Sequence, residues 1–336
     1  MARIVLGIGT SHSPMLSLTA EQWKHRTEGD FKRTFVIDGG ERVDYAQLLQ
    51  RRGPAYRDEL APEVFERKVN ACQAALDRLA DALEAAAPDV VIIIGDDQRE
   101  LFSAQTQPAF AVFHGERMST TLGSYGRSEV DWMQQVGRGY LMEAVHHLPA
   151  APAFATRLIG ELMDRDIDVC AVSEVADPEQ AGFGHAYGFV VQRLLRRAVP
   201  VVPILLNTYY PPNVPSARRS LAIGRALREA VAAIDGEQRV AIVASGGLSH
   251  FVVDEAFDRA IIEAFRTADA AQLAAVPRAK LLSGTSETLN WIMTAGAVDF
   301  LALTYAEYQP LYRTEAGTGT GAAFCIWGPQ PARITD

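Results

Sequence analysis

The run VVIIIG at residues 90–95 passes directly into Asp96-Asp97-Gln98-Arg99-Glu100, and this junction decides the fold. A short apolar run ending in a charged cluster reads as a buried strand whose last residues emerge at the edge of a sheet. Two other runs behave alike. RIVLGIGT at 3–10 delivers Ser11-His12-Ser13-Pro14, and VAIVAS at 240–245 delivers Gly246-Gly247-Leu248-Ser249-His250. In open α/β sheets, ligands bind beyond the carboxyl ends of the strands. Three polar clusters in such places point to chemistry rather than to core structure, and so to an enzyme.

Between these runs the pattern alternates. Apolar residues at helical spacing over 62–86, with Pro62 in the first turn, predict a helix feeding the 90–95 strand. Further strands are expected at 109–114, 167–173, 200–207 and 322–327, and helices at 155–165, 186–197, 216–235, 255–273 and 286–296. Such alternation predicts an α/β architecture, a central sheet with helices on both faces and the site at the strand carboxyl ends. The sheet is expected to be mixed, because the C-terminal elements are not a clear strand–helix–strand unit. Residues 18–60 are polar and weakly periodic, a surface excursion suited to a lid or a subunit contact.

Composition narrows the class. The 336 residues are 48% hydrophobic and 22% charged, ordinary for a globular chain. A net charge of −9 and the lack of any long Lys/Arg cluster argue against a nucleic-acid partner. The apolar start is too short for a signal peptide or a membrane span. Cys72, Cys170 and Cys325 form no CxxC pair and no even disulfide set, so a reducing cytoplasm is expected.

Candidate residues follow from position. His12 leaves a strand and is held extended by Pro14; a turn histidine bonded to backbone would look the same. His250 follows two glycines that let backbone approach a ligand, and an imidazole there can exchange protons near neutral pH. His185 is bracketed by glycines in GFGHAYG, with Tyr187 nearby. Glu287 opens a predicted helix, where a carboxylate also complements the helix dipole. Trp291, four residues on, reads as packing. Tyr209 and Tyr210 lie beyond a strand end, placed either to stack on a ring or to pack beneath the next loop. Arg99, Arg313 and Thr314 lie near the expected site loops; as surface residues they would need no role.

GIGTSHSP, GDDQ, GFGHAYG, GGLSH and SETLNWIMTAGA occur in this chain in the order found in class III extradiol ring-cleavage dioxygenases. The chain resembles the catalytic subunit of protocatechuate 4,5-dioxygenase and, more closely, the single-chain 3-O-methylgallate type, over about residues 3–327. The resemblance implies a single catalytic domain over 1–336, a homodimer, and non-haem Fe(II) held by two histidines and a carboxylate. A catecholic aromatic acid and O2 would be the substrates. The first histidine carries over to His12 and the carboxylate to Glu287. Where family members often read Asp-His, this chain has Asp97-Gln98. Gln98 then ligates through its oxygen, or Asp97 or Glu100 takes over, or metal binding is weak. His250 would take a phenolic proton, and His185 would give a proton to the oxygen or orient it. Tyr209, Tyr187 and Arg313 are the candidate substrate contacts. A metal-dependent hydrolase on the same fold, or an impaired relative that binds aromatics, would use the same pocket.

Overall fold

The computed structural model describes residues 1–329. Its strands are β1 (Arg3–Thr10), β2 (Phe35–Val36), β3 (Arg42–Val43), β4 (Val90–Asp96), β5 (Phe110–Phe113), β6 (Arg117–Ser119), β7 (His147–Pro149), β8 (Cys170–Val172), β9 (Val201–Leu206), β10 (Arg239–Ser245), β11 (His250–Val252), β12 (Ala302–Tyr312) and β13 (Thr318–Gly328). Its helices are α1 (Lys24–Asp30), α2 (Tyr45–Arg52), α3 (Pro62–Ala86), α4 (Asp131–Gly139), α5 (Pro152–Met163), α6 (His185–Leu194), α7 (Ala217–Ala233), α8 (Glu255–Arg266), α9 (Ala270–Ala274) and α10 (Thr288–Ala297).

Nine strands form one mixed sheet in the order β11-β13-β1-β10-β4-β9-β5-β8, with β12 on β13. The three strands singled out in the sequence, β1, β10 and β4, are adjacent and parallel at its centre. The antiparallel part is β11, β12 and β13, together with the β5–β9 pair. Alternate side chains of β4 enter two different cores. Ile92 and Ile94 pack with α5, α7, α8 and α10, whereas Val91 and Ile93 pack with α3 and α6. Helices therefore cover both faces, as the sequence pattern requires. Trp291 of α10 lies against Gly9 of β1, and a Cβ there would fall 2.1 Å from the indole ring.

Two elements differ from expectation. The helix predicted over 255–273 is two helices, because Asp269 accepts from the Gln272 amide and starts a new one. The eleven-residue strand β12 carries no clean alternation. It pairs only with β13 at the sheet margin, where Pro310 costs no second ladder.

The 18–60 excursion folds as short helices and a small β2–β3 ladder laid over the end of the sheet. A buried ion pair pins it. Asp30 accepts from Arg313 Nε at 2.8 Å and Nη2 at 3.1 Å, and from Thr318 Oγ1 at 2.6 Å. Among the described residues no helix is long and apolar enough to cross a membrane.

Removing the carboxylate would strand a buried guanidinium. Asp30→Ala is expected to lower unfolding free energy by about 3–5 kcal/mol, read as a fall in the urea midpoint; a change below about 1 kcal/mol refutes the anchoring role.

Candidate active site

Each functional side chain stands where an element begins or ends. Asp96 is the last residue of β4, His12 lies two residues beyond β1, and Gly247 two beyond β10. His185 opens α6, and Glu287 directly precedes α10. These residues and His250 meet at the carboxyl ends of the central strands.

Glu287 is the hub. It is 2% exposed, and its hydrogen-bond partners are donors and imidazoles. Oε2 accepts from the Gly247 amide at 2.7 Å and faces His12 Nε2 at 3.3 Å. Oε1 accepts from the Tyr209 hydroxyl at 2.8 Å and faces His250 Nε2 at 3.2 Å. Burial pushes this carboxyl upward, but the His250 and His12 imidazoles outweigh it and hold it well below the usual carboxylate range.

The three imidazoles share one orientation, each fixed by what its Nδ1 meets. His12 Nδ1 lies 2.9 Å from Ser245 Oγ, whose single proton goes to the Ala186 carbonyl at 2.6 Å. Ser245 must then accept, so His12 carries its proton on Nδ1. His250 Nδ1 donates to the Leu248 carbonyl at 3.0 Å. His185 Nδ1 lies 2.6 Å from Glu100 Oε1. All three therefore turn Nε2 inward, as metal-ligating histidines do when their other nitrogen is tied down. Burial lowers the His185 pKa, but Glu100 reverses this and lifts it to about 10. Burial likewise opposes protonation of His250, and Glu287 outweighs it, leaving that pKa raised.

His12, Asp96, His185 and Glu287 place one donor atom each within 4.8 Å of one another. Asp96 is the member that sequence reading missed. Burial first, then Glu287, raises its carboxyl to about 6, and its Oδ1 is buried with no hydrogen-bond partner. A buried carboxylate with one orphaned oxygen, set within reach of two imidazoles, is an uncommon arrangement that suits an electrophile. Two carboxylates and two imidazoles fit a divalent metal of the Fe, Mn or Zn type.

The residues of the Asp97-Gln98 segment differ in how they are bonded. Asp97 accepts from the amides of Arg99, Glu100, Leu101 and Phe102 and so builds the loop. Glu100 is committed to His185, by the ring and by the backbone amide. Neither belongs to the donor cluster. Gln98 does reach it, with Nε2 at 3.3 Å from Asp96 Oδ2 and 3.4 Å from His185 Nε2.

Two candidate substrate contacts require correction. Tyr187 is buried beneath Gly95, and its hydroxyl donates to the Ile204 carbonyl. The ring packs in the core and lines no part of the cavity. Arg313 borders the cavity, but its guanidinium is buried and spent on Asp30. Tyr209 does line the cavity; Tyr210 instead lies under the Arg99 guanidinium, 4.4 Å away. Trp291 packs on Phe265 and donates to Gly246, as expected of a core residue.

Above the cluster opens a cavity of about 580 Å³. Its lining is mixed, with polar and charged side chains around an apolar patch of Leu122, Tyr125, Trp132 and Met142 that suits an aromatic ring.

Polar donors thus converge on a buried, acidic cluster of metal-ligating residue types beneath this cavity, at the carboxyl ends of the central parallel strands, a place that suits more than one chemistry. The comparison with protein families narrows it. Residues 54–324 match the model of the catalytic LigB subunit of aromatic ring-opening dioxygenase, and the chain belongs to that family. A search of curated proteins finds no match.

The turn carrying His250 is held by Asp258. Its Oδ1 accepts from the Ser249 amide at 2.8 Å, and its Oδ2 from Ser249 Oγ at 2.6 Å and the Tyr308 hydroxyl at 2.7 Å. Burial raises this carboxyl to about 6 despite those donors. The folded state therefore holds the proton more tightly than the unfolded chain does, so the group favours folding at low pH and loses that contribution as pH rises through about 6. Asp258→Asn is expected to flatten the fall in urea midpoint between about pH 4 and 6; an unchanged slope refutes the assignment.

Proposed function

We propose that this member of the aromatic ring-opening dioxygenase family performs extradiol cleavage of a catecholic aromatic acid, with non-haem Fe(II) and O2. The observation that carries the reading is the set of inward-facing Nε2 atoms around Glu287, with the orphaned Asp96 oxygen among them. His12 and Glu287 would hold the metal, with Asp96 as the facing donor and His185 beside them. Gln98 borders them, and a turn of its amide would present oxygen in place of nitrogen. Once bound, the metal would supply Lewis acidity toward the two hydroxyls of a catechol and one-electron exchange with oxygen.

The chain's own groups do the rest. His250 lies outside the four-donor cluster, yet its Nε2 is 3.2 Å from Glu287 Oε1. That position suits a base that takes a phenolic proton, with Nδ1 kept protonated by Leu248. Glu100 keeps His185 protonated and directed inward, so a proton is available on the opposite side of the site. Tyr209 orients Glu287 from the cavity side. Leu122, Tyr125 and Met142 exclude water from the ring's position, which strengthens each of these interactions.

Protein prepared anaerobically with Fe(II) is expected to consume O2 stoichiometrically with gallate, 3-O-methylgallate or protocatechuate, and to yield a ring-opened chromophore. Iron binding without O2 uptake on any of the three counts against the reading. His12→Ala is expected to lose stoichiometric iron, and iron retained at one per chain removes its ligand role. His250→Phe is expected to keep iron while turnover falls by about 10²–10⁴-fold; near-normal turnover removes it as the base.

A further inference from the structure

A second cavity, of about 540 Å³, takes no part in the chemistry at the strand ends. The segment around β11 borders both chambers: Gly247, His250 and Phe251 line the first, and Ser249, Val252 and Val253 the second. The segment before α10 does the same, with Leu282 and Thr285 on the second cavity and Glu287 on the first. The 18–60 excursion closes the second chamber with Val36, Ile37, Leu48 and Tyr56.

The charged groups of this lining are paired with carboxylates or cations, save one. Arg51 forks onto Glu41, Asp254 meets Lys280 at 3.1 Å, and Glu255 accepts from Arg259 at 2.9 Å and the Tyr312 hydroxyl at 2.7 Å. Among the described residues no carboxylate pairs with Arg52. Its Nη2 donates to the Tyr56 hydroxyl and to the Val253 carbonyl at 3.3 Å, and its Nη1 to the Gly317 carbonyl at 3.4 Å. These acceptors are neutral. They hold the guanidinium in place and leave its charge, which is permanent, unbalanced beside an aliphatic wall. Such a chamber is complementary to a small organic anion, with an apolar body against Val36, Leu48 and Val252 and one anionic group on Arg52.

An occupant would lie against the groups that hold His250. Thr285 Oγ1 accepts from the His250 amide and donates to its carbonyl, each at 3.0 Å. Ser249 Oγ donates to Asp258 at 2.6 Å and accepts from the Asp254 amide at 2.8 Å. A ligand packed on Thr285 and Ser249 favours the state in which these bonds are closed. We infer that the second cavity is a binding site for a small apolar monoanion, held by Arg52, whose occupancy steadies the His250 turn. What that steadying would govern, proton transfer, rests on His250 being the base of the proposed reaction.

Octanoate serves as the probe anion, and 1-octanol as the same chain without the charge. Calorimetric titration of the full chain is expected to show one octanoate site, with octanol bound about tenfold more weakly, the contribution of one charge-assisted hydrogen bond. Arg52→Gln is expected to bring the two affinities together. Ala279→Trp, at an exposed position of the lining, fills the chamber and is expected to abolish binding, which locates the site even if Arg52→Gln fails to fold. With octanoate at about ten times its dissociation constant, hydrogen exchange at the His250 and Asp254 amides is expected to slow about tenfold. Absence of binding, equal affinity for octanol, or binding unchanged in the variants overturns the site. Binding that leaves both amides unaltered overturns the link to His250. None of these readouts uses a metal or O2, so a chain that binds octanoate in this way and opens no aromatic ring refutes the dioxygenase reading alone.

Discussion

One buried carboxylate organises this molecule. Glu287 sits 2% exposed, where an ionised acid survives only if donors surround it. Tyr209, the Gly247 amide, His12 and His250 do so, and they arrive from three separate parts of the chain. Their convergence requires β1 and β10 to be neighbours, α10 to begin against them, and the loop after β9 to fold back. The sheet order is thus written into the surroundings of a single side chain. A site with this much unbalanced polarity is stable only when each component is tied elsewhere, and each is: Ser245 to Ala186, Leu248 to His250, Asp258 to Ser249.

The cluster and the excursion beside it are built on different material. The donors of the cluster stand at the ends of strands or the starts of helices, whose backbone is fixed by two cores. Such rigidity suits groups that must keep sub-ångström relations. The 18–60 excursion consists instead of short helices and turns pinned at Asp30 by one ion pair.

Much of the site was legible in the sequence. His12, His185, His250 and Glu287 were each marked by a strand end, a glycine bracket or a helix start, and they do gather at one place. Asp96 was passed over because it closes an apolar strand and reads as part of the adjoining charged loop. Its period-two relation to Ile92 and Ile94 was the available signal. Tyr187 misled because a tyrosine beside a glycine-bracketed histidine looks like a ligand contact, yet helix α6 turns it under Gly95. Arg313 misled for a similar reason: position near a site loop says nothing of a partner 283 residues away.

The sequence by itself determined the alternation of strands and helices, the apolar runs of three strands and the polar clusters at their ends. These follow from local apolar patterning, which acts over a few residues. Tertiary structure alone decided which nitrogen of each histidine faces inward, because Ser245, Leu248 and Glu100 settle it through contacts with elements remote from most of them. It also decided that Asp97 bonds the amides of its own loop and Glu100 bonds His185. Above all it decided that Arg313 is taken up by Asp30, since a charge is neutralised through space and no local pattern records its partner.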